Sequence, residues 1–339
     1  MVWQRRHGRK GLPWQDTRDP YRIWLSEVML QQTQVSAVIP YYERFLERFP
    51  TIGALARATE DEVLRRWAGL GYYARGRNLH AAAKKIVFEL KGEFPRNAGE
   101  ISELPGVGRS TAAAIAAFAF RERAAILDGN VKRVLARHRG IEGFPGDKEI
   151  EAKLWAAAEA LLPKKDIETY TQALMDLGAT ICTKGAPQCD ACPVRATCTA
   201  RKRDLVARIP APRPRKALPK KRATWLVLVH AREVLLERRP GAGIWGGLWS
   251  FPEVGDVARA CREAGGNARS ARKLAPIEHG FTHFRLRIQP VLCRVERRGA
   301  RAGEAAARAE QPGRMWIGIE EAMGAAVPAP VKTLLGTLA

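Results

Sequence analysis

The chain has 339 residues and a formal net charge of +22. That length is enough for two domains with separate cores, and a surface this basic points to a polyanionic partner, nucleic acid first. No apolar run approaches the roughly 20 residues that a membrane helix needs, and the opening Met1-Val2-Trp3-Gln4-Arg5-Arg6-His7 has no apolar signal core, so a cytoplasmic protein with no membrane association is expected.

Residues 20 to 205 read as helices. Asp19 stands where a cap would, Pro20 at the first helical position, and Tyr21, Trp24, Leu25, Val28 and Met29 follow at helical spacing. Glu27 lies inside this run, in Trp24-Leu25-Ser26-Glu27-Val28-Met29-Leu30-Gln31-Gln32-Thr33-Gln34, among apolar neighbours. Burial there penalises the charged carboxylate and keeps a proton at hand near neutral pH, as a general acid requires. The plainer reading is a surface glutamate beside an amphipathic face. Gln31, Gln32 and Gln34 suit hydrogen bonding to base edges, or they face solvent. Thr59 and Glu62 have the spacing of a capping box ahead of Val63, Leu64 and Trp67, and Gly69 and Gly71 supply the stop. Further helices are expected over about 75–90, 98–103, 110–120, 129–139, 148–162 and 167–181, with no strand alternation between them.

Leu104-Pro105-Gly106-Val107-Gly108-Arg109-Ser110-Thr111 is a glycine-rich turn that opens directly into an alanine-rich helix. Gly106 and Gly108 permit backbone angles and close approach that a side chain would block, and the first N–H groups of the helix lack partners. Such a turn can hold a phosphate and grip a nucleic-acid strand without reading its sequence. Its alternative is a helix–helix turn that binds nothing. Asp128 follows an apolar stretch about one helix downstream. It reads as the cap of the helix carrying Val131, Val134 and Leu135, or as a fixed carboxylate that stabilises or attacks a sugar cation; the two roles are compatible.

Six cysteines are present, four of them in the pattern Cys182-x6-Cys189-x2-Cys192-x5-Cys198. In an intracellular chain this cluster favours metal over disulfides. Four such thiolates hold either tetrahedral zinc, the commoner guess on ligand type alone, or an iron–sulfur cluster.

From Arg201 to Arg222 ten Lys or Arg accompany one acid, Asp204, with prolines at 210, 212, 214 and 219. This is the composition of an extended basic linker, assigned to residues 206–222. Beyond it Trp225–Val229, Val234–Leu236 and Arg285–Val295 read as strands, with helices near 256–264 and 320–325. Residues 297–311, rich in Arg, Ala, Gly and Glu, read as a flexible loop.

The run Trp24 to Gln34, Gly69-Leu70-Gly71-Tyr72-Tyr73-Ala74-Arg75, the hairpin Leu104 to Gly108, Leu127-Asp128-Gly129-Asn130 and the cysteine spacing together resemble the MutY adenine DNA glycosylases. These belong to the helix-hairpin-helix superfamily that includes endonuclease III, and the resemblance spans nearly the whole chain. It implies a multidomain protein. An all-α helix-hairpin-helix glycosylase region covers 1–205: a six-helix module at about 20–125, and a cluster module made of the N-terminal segment with 126–205. An α+β Nudix-like 8-oxoguanine recognition domain covers 223–339. The resemblance further implies a 4Fe-4S cluster on Cys182, Cys189, Cys192 and Cys198, in place of zinc, and a monomer acting on double-stranded DNA with 8-oxoguanine:A or G:A mispairs.

By the same resemblance Glu27 protonates N7 of an extruded adenine, Asp128 stabilises or attacks the oxocarbenium ion, and Asn130 helps orient the site. Tyr72 wedges beside 8-oxoguanine, while Gln32, Thr33 and Leu70 line the duplex gap. Endonuclease III-type lyases carry at position 110 a lysine that forms a Schiff base; Ser110 cannot do amine chemistry, so a monofunctional glycosylase is expected. Some MutY proteins have there a tyrosine that hydrogen-bonds the catalytic aspartate, so Ser110 is expected to position Asp128 more weakly or through water. Lys132, one turn after Asp128, can trap an abasic sugar adventitiously. Gly247-Leu248-Trp249-Ser250-Phe251-Pro252-Glu253 echoes the start of a Nudix box of the MutT type. Ala264, Gly265 and Gly266 then follow Arg262-Glu263 where paired glutamates would hold Mg²⁺, so lesion reading is expected rather than diphosphate hydrolysis. Phe281-Thr282-His283 matches the family's Phe-Ser-His loop, which contacts 8-oxoguanine. Two other functions compete: an endonuclease III-like glycosylase/lyase, and a non-catalytic metal-bearing DNA-binding or Nudix-derived sensor.

Overall fold

The computed structural model describes residues 1–214, 217–295 and 313–338. The loop expected at 297–311 lies outside the described residues. The chain forms two compact units: Met1–Arg57 with Asn78–Arg215, and Ala58–Arg77 with Lys216–Ala339. Among the described residues no helix is long and apolar enough to cross a membrane.

The first unit is helical. Helix α1, Pro20–Leu30, starts where Asp19 accepts a hydrogen bond from the Tyr21 N–H at 2.9 Å, with Pro20 at its first position. It buries Ile23, Trp24, Leu25, Val28 and Met29, and Tyr21 Oη donates to the Phe49 carbonyl at 2.7 Å. Helix α2 is Val35–Arg48. The hairpin joins α3, Ala98–Ser102, to α4, Arg109–Phe120. Asn97 caps α3 through the Glu100 N–H at 2.9 Å. Gly106 turns at φ +76, and a Cβ there would sit 2.6 Å from the Cβ of Asn78, so this position requires glycine. Helix α4 buries Ala112, Ala113, Ala114, Ala116 and Ala117 with Ile115, and the alanines let it pack closely on α1.

Arg121, at φ +59, closes α4, and an extended segment leads to α5, Gly129–Arg139, capped by Asp128. Helices α6, Lys148–Ala160, and α7, Ile167–Asp176, follow. The run expected over 167–181 changes character at Leu177–Ile181, a wider π-type turn, as the run over 75–90 does at Lys85–Glu89. Gly178 lies in the first of these turns, where a Cβ would be 2.6 Å from that of Asn130. The stretch set aside as linker is partly docked in this unit: Ile209 is buried, and its carbonyl accepts from Arg137 Nε at 2.8 Å. Its last three residues begin a strand.

The second unit is built on a seven-stranded sheet of order β3-β2-β1-β6-β4, in which β5 also pairs with β6 and β7 with β2. The strands are β1 Lys220–His230, β2 Glu233–Arg238, β3 Trp249–Ser250, β4 Arg272–Lys273, β5 Ile277–Gly280, β6 Arg285–Arg294 and β7 Arg314–Gly318. β1 and β6 are parallel, in register from Lys220 opposite Arg285 to Val229 opposite Arg294; the other pairs are antiparallel. One sheet face buries Trp225, Val227, Val234, Leu236, Leu286 and Ile288 with Phe251 and Leu334. The other packs Leu226, Leu228 and Cys293 under helix α8, Val257–Glu263, where Cys261 is disulfide-bonded to Cys293.

The sequence reading kept residues 58–77 with the N-terminal helices, whereas this stretch groups with the sheet. The capping box of Thr59 and Glu62 is present, and starts helix Glu60–Trp67. Leu64 of that helix belongs to the sheet core, Trp249 Nε1 donates to Asp61 at 2.7 Å, and Arg238 pairs with Glu60 at 3.1 Å.

Candidate active site

Glu27 lies on the inner side of α1, at a cavity of about 840 Å³ also lined by Trp14, Leu30, Gln172 and Met175. Burial pushes its carboxyl up to about 8, with the negative charge of Asp128 adding to the effect. At neutral pH Glu27 therefore carries a proton, the state that its apolar setting implied.

Asp128 caps α5, and its Oδ1 accepts from the Val131 N–H at 2.7 Å. Burial raises its pKa too, but the Val131 and Asn130 amides and the guanidinium groups of Arg133 and Arg9 oppose this. The net shift at Asp128 is upward all the same, because burial outweighs these four opposing influences.

Asn130 Oδ1 accepts from Arg133 Nη2 at 2.9 Å, and Arg133 also donates to the carbonyls of Gly178, at 2.6 Å, and Cys182, at 2.7 Å. One guanidinium thus ties the segment after Asp128 to the first cysteine. Ser110 Oγ accepts from the Leu127 N–H at 2.9 Å, so it holds the backbone next to Asp128 directly. Lys132 Nζ is engaged by Glu151 at 2.6 Å.

Cys182, Cys189, Cys192 and Cys198 line a common cavity with Arg137. Arg137, buried, reaches the Cys182 sulfur at 3.4 Å and the Thr183 carbonyl at 2.7 Å. Burial and the neighbouring thiolates raise the pKa of Cys189 and Cys192. Among the described residues no three His, Cys, Asp or Glu converge on a point as for a single metal ion. The donor set around the cavity is four soft sulfurs with no histidine or carboxylate, which fits iron–sulfur ligation.

The remaining candidates divide between the units. In the first, Gln32 is exposed at φ +57, Thr33 Oγ1 donates to the Gln31 carbonyl at 3.3 Å, and Gln31 Nε2 donates to Thr111 at 3.2 Å. Gly108 precedes α4 as its cap. In the second, Leu70 is buried, while Tyr72 is 46% exposed at φ +49 with Arg75 over its ring at 5.3 Å. Thr282 and His283 are exposed between β5 and β6, and Phe281 is turned inward, stacked on Phe284 at 4.4 Å. Glu253 of the Nudix-like motif is bound by Arg239 at 3.2 Å.

Arg133 and Arg137 were missed from sequence. Their four-residue spacing on α5 was the available signal. Gln172 and Arg9 were missed as well; neither stands in a motif.

Residues 25–160 match the HhH-GPD superfamily base excision DNA repair proteins, and residues 224–337 match the NUDIX domain. Fold and site thus define a helix-hairpin-helix base excision repair protein with a Nudix-like second domain. The adenine DNA glycosylase of Buchnera aphidicola subsp. Baizongia pistaciae is 39% identical, over 86% of this chain and 84% of its own. That of Homo sapiens is 34% identical, over 96% and 70%. The chain belongs to the adenine DNA glycosylase family. Among solved structures, a thermostable thymine-DNA glycosylase is similar at a TM-score of 0.53 and 29% identity, covering 60% of this chain and 93% of that one. A non-covalent endonuclease III–DNA complex, at 0.50 and 24%, covering 59% and 90%, is alike in fold.

Proposed function

We propose that this chain hydrolyses the N-glycosidic bond of adenine mispaired with 8-oxoguanine or guanine in duplex DNA, as a cytoplasmic monomer and without lyase activity. The observation that carries this reading is a Glu27 carboxyl at the edge of a cavity, pushed up to about 8 by burial and by the charge of the neighbouring Asp128. Extruding the adenine costs a few kcal/mol of stacking and pairing. Glu27 gives its proton to N7. The N9–C1′ bond breaks, its electron pair stays with the base, and adenine leaves neutral. Asp128 stabilises the cation at C1′ until water adds there and passes its proton to a carboxylate of the pair, leaving an abasic site. Asn130 and Ser110 keep Asp128 in place. With Ser110 a hydroxyl and Lys132 in an ion pair, neither offers a free amine for a Schiff base.

Thr282, His283 and Tyr72 supply the exposed groups that read the 8-oxoguanine. Gln32, Thr33 and Leu70 serve the duplex gap, and the Gly106–Gly108 turn holds a phosphate. Cys182, Cys189, Cys192 and Cys198 would hold the 4Fe-4S cluster, which when bound supplies a structural clamp for DNA-positioning residues rather than a reaction step. The test is single-turnover release of adenine from an 8-oxoguanine:A duplex, with alkali to reveal abasic sites. Glu27→Gln is expected to be at least about 10²-fold slower, the scale of general acid catalysis. Near-normal release by that variant overturns the assignment, and strand nicking without alkali points to the lyase instead.

A further inference from the structure

Strands β1 and β6 carry a charge pattern that the catalytic reading does not use. Their parallel register sets Lys220 opposite Arg285 and Arg222 opposite Arg287. Strand side chains alternate between faces, so these four share the face that farther along carries Leu226, Leu228 and Cys293. Helix α8 covers that apolar half. Lys220, Arg222, Arg285 and Arg287 are exposed on the half it leaves open. Neighbouring strands lie about 5 Å apart, and like charges directly opposite at that spacing destabilise a sheet. Glu278 of β5 answers one of the four, pairing with Arg287 at 3.6 Å. Lys220, Arg222 and Arg285 have no ion pair among the described residues.

We propose that this open half-face grips the phosphate backbone of the DNA strand that carries the lesion. The inference rests on the reading of the chain as a DNA glycosylase, and assigns it a second contact surface within the Nudix-like unit. A sheet face that sets cation against cation is costly alone and favourable under a polyanion. No aromatic side chain stands among the four on this face, so it suits phosphates rather than stacked, unpaired bases. The strand that begins at Arg285 comes directly out of the turn bearing Thr282 and His283, so the backbone grip and the exposed turn are part of one hairpin.

The test uses the full chain and a duplex with 8-oxoguanine opposite a cleavage-resistant 2′-fluoro-2′-deoxyadenosine, with affinity measured from 50 to 200 mM salt. Each lost phosphate contact lowers the slope of log affinity against log salt by about 0.9, so changing all four residues to Gln is expected to lower it by about 3.6. A control variant with Arg232, Arg262, Arg269 and Lys332 changed to Gln, exposed cations elsewhere on this unit, is expected to move it by less than about 1. The patch variant is also expected to melt no lower than the parent without DNA, because like-charge pairs have been relieved; a purely structural role predicts a lower melting temperature. Should it nevertheless unfold, Lys220→Gln with Arg285→Gln gives the same reading at about half the slope change. An unchanged slope, as for a face that serves another acidic partner, or an equal fall in the control, overturns the proposal. Adenine release by the parent chain is scored separately: its absence removes the glycosylase reading whatever the slopes do.

Discussion

Glu27 ionises near 4.5 in an unfolded chain but at about 8 in the folded one. Between those values the native state keeps a proton that the unfolded state has lost, so this residue makes stability fall as the pH rises through that window. Glu27→Gln removes the penalty. Its melting temperature is expected to match the parent's near pH 4.5 and to exceed it increasingly up to pH 8, a trend that a pH series of thermal melts would check. Excision by the parent runs the other way from that gain, holding below about pH 8 and falling above it as the acid loses its proton. The raised pKa of Glu27 was legible because apolar residues surround it on both neighbouring turns. Arg133 and Arg137 were not legible as site residues, since a basic residue on a helix ordinarily faces water. Only the packed structure shows them turned toward carbonyls and sulfur.

At the level of elements, the proposed function gives the start of α5 two jobs. Asp128 caps the helix through the Val131 N–H and, in that reading, supplies the carboxylate that steadies the sugar cation, and substitution can separate the two. Asp128→Asn keeps an oxygen to accept from the Val131 N–H, so its melting temperature is expected near the parent's while excision is lost. Asp128→Ala is expected to lose excision and also about 1 kcal/mol of stability, the worth of an N-cap. Gly178→Ala would force a methyl against Asn130, costing about 1–3 kcal/mol as overpacking does. It should slow excision as well, since Asn130 and Arg133 must shift; single-turnover rates beside thermal melts test both. Helix starts at Asp19 and Thr59 were legible because caps act through their own neighbours in sequence. The π-type turns after Lys84 and Asp176 were not, because they keep helical spacing while widening the ring of hydrogen bonds. Strands β3 and β4, two residues each, are too short to show alternation, and are defined only by what β2 and β6 offer them.

Across the whole molecule, the change from helices to strands was legible in the basic, proline-rich run at 201–222 and the β-branched residues after it. The membership of residues 58–77 was not, because neighbours in sequence are normally neighbours in space. Its supports are specific enough to test in the intact chain. Trp249→Phe removes the hydrogen bond to Asp61, worth about 1 kcal/mol, so amide exchange in Glu60–Trp67 is expected to quicken about fivefold while α1, α4 and α5 keep their protection. Exchange measured by mass spectrometry decides this, and an unaltered rate at Glu60–Trp67 would mean that the helix is secured elsewhere.

That divided membership also sets a timetable. On the ribosome, Leu64 emerges long before any strand of the sheet it completes, with about 140 residues to be added between Arg77 and the first strand at Lys220, roughly 7–28 s at ordinary elongation speeds. For that interval the growing polypeptide carries the opening piece of one domain inside another that is still being made. Conditions that slow translation or occupy chaperones should therefore lower the yield of this protein more than that of a relative whose domains each come from one unbroken stretch.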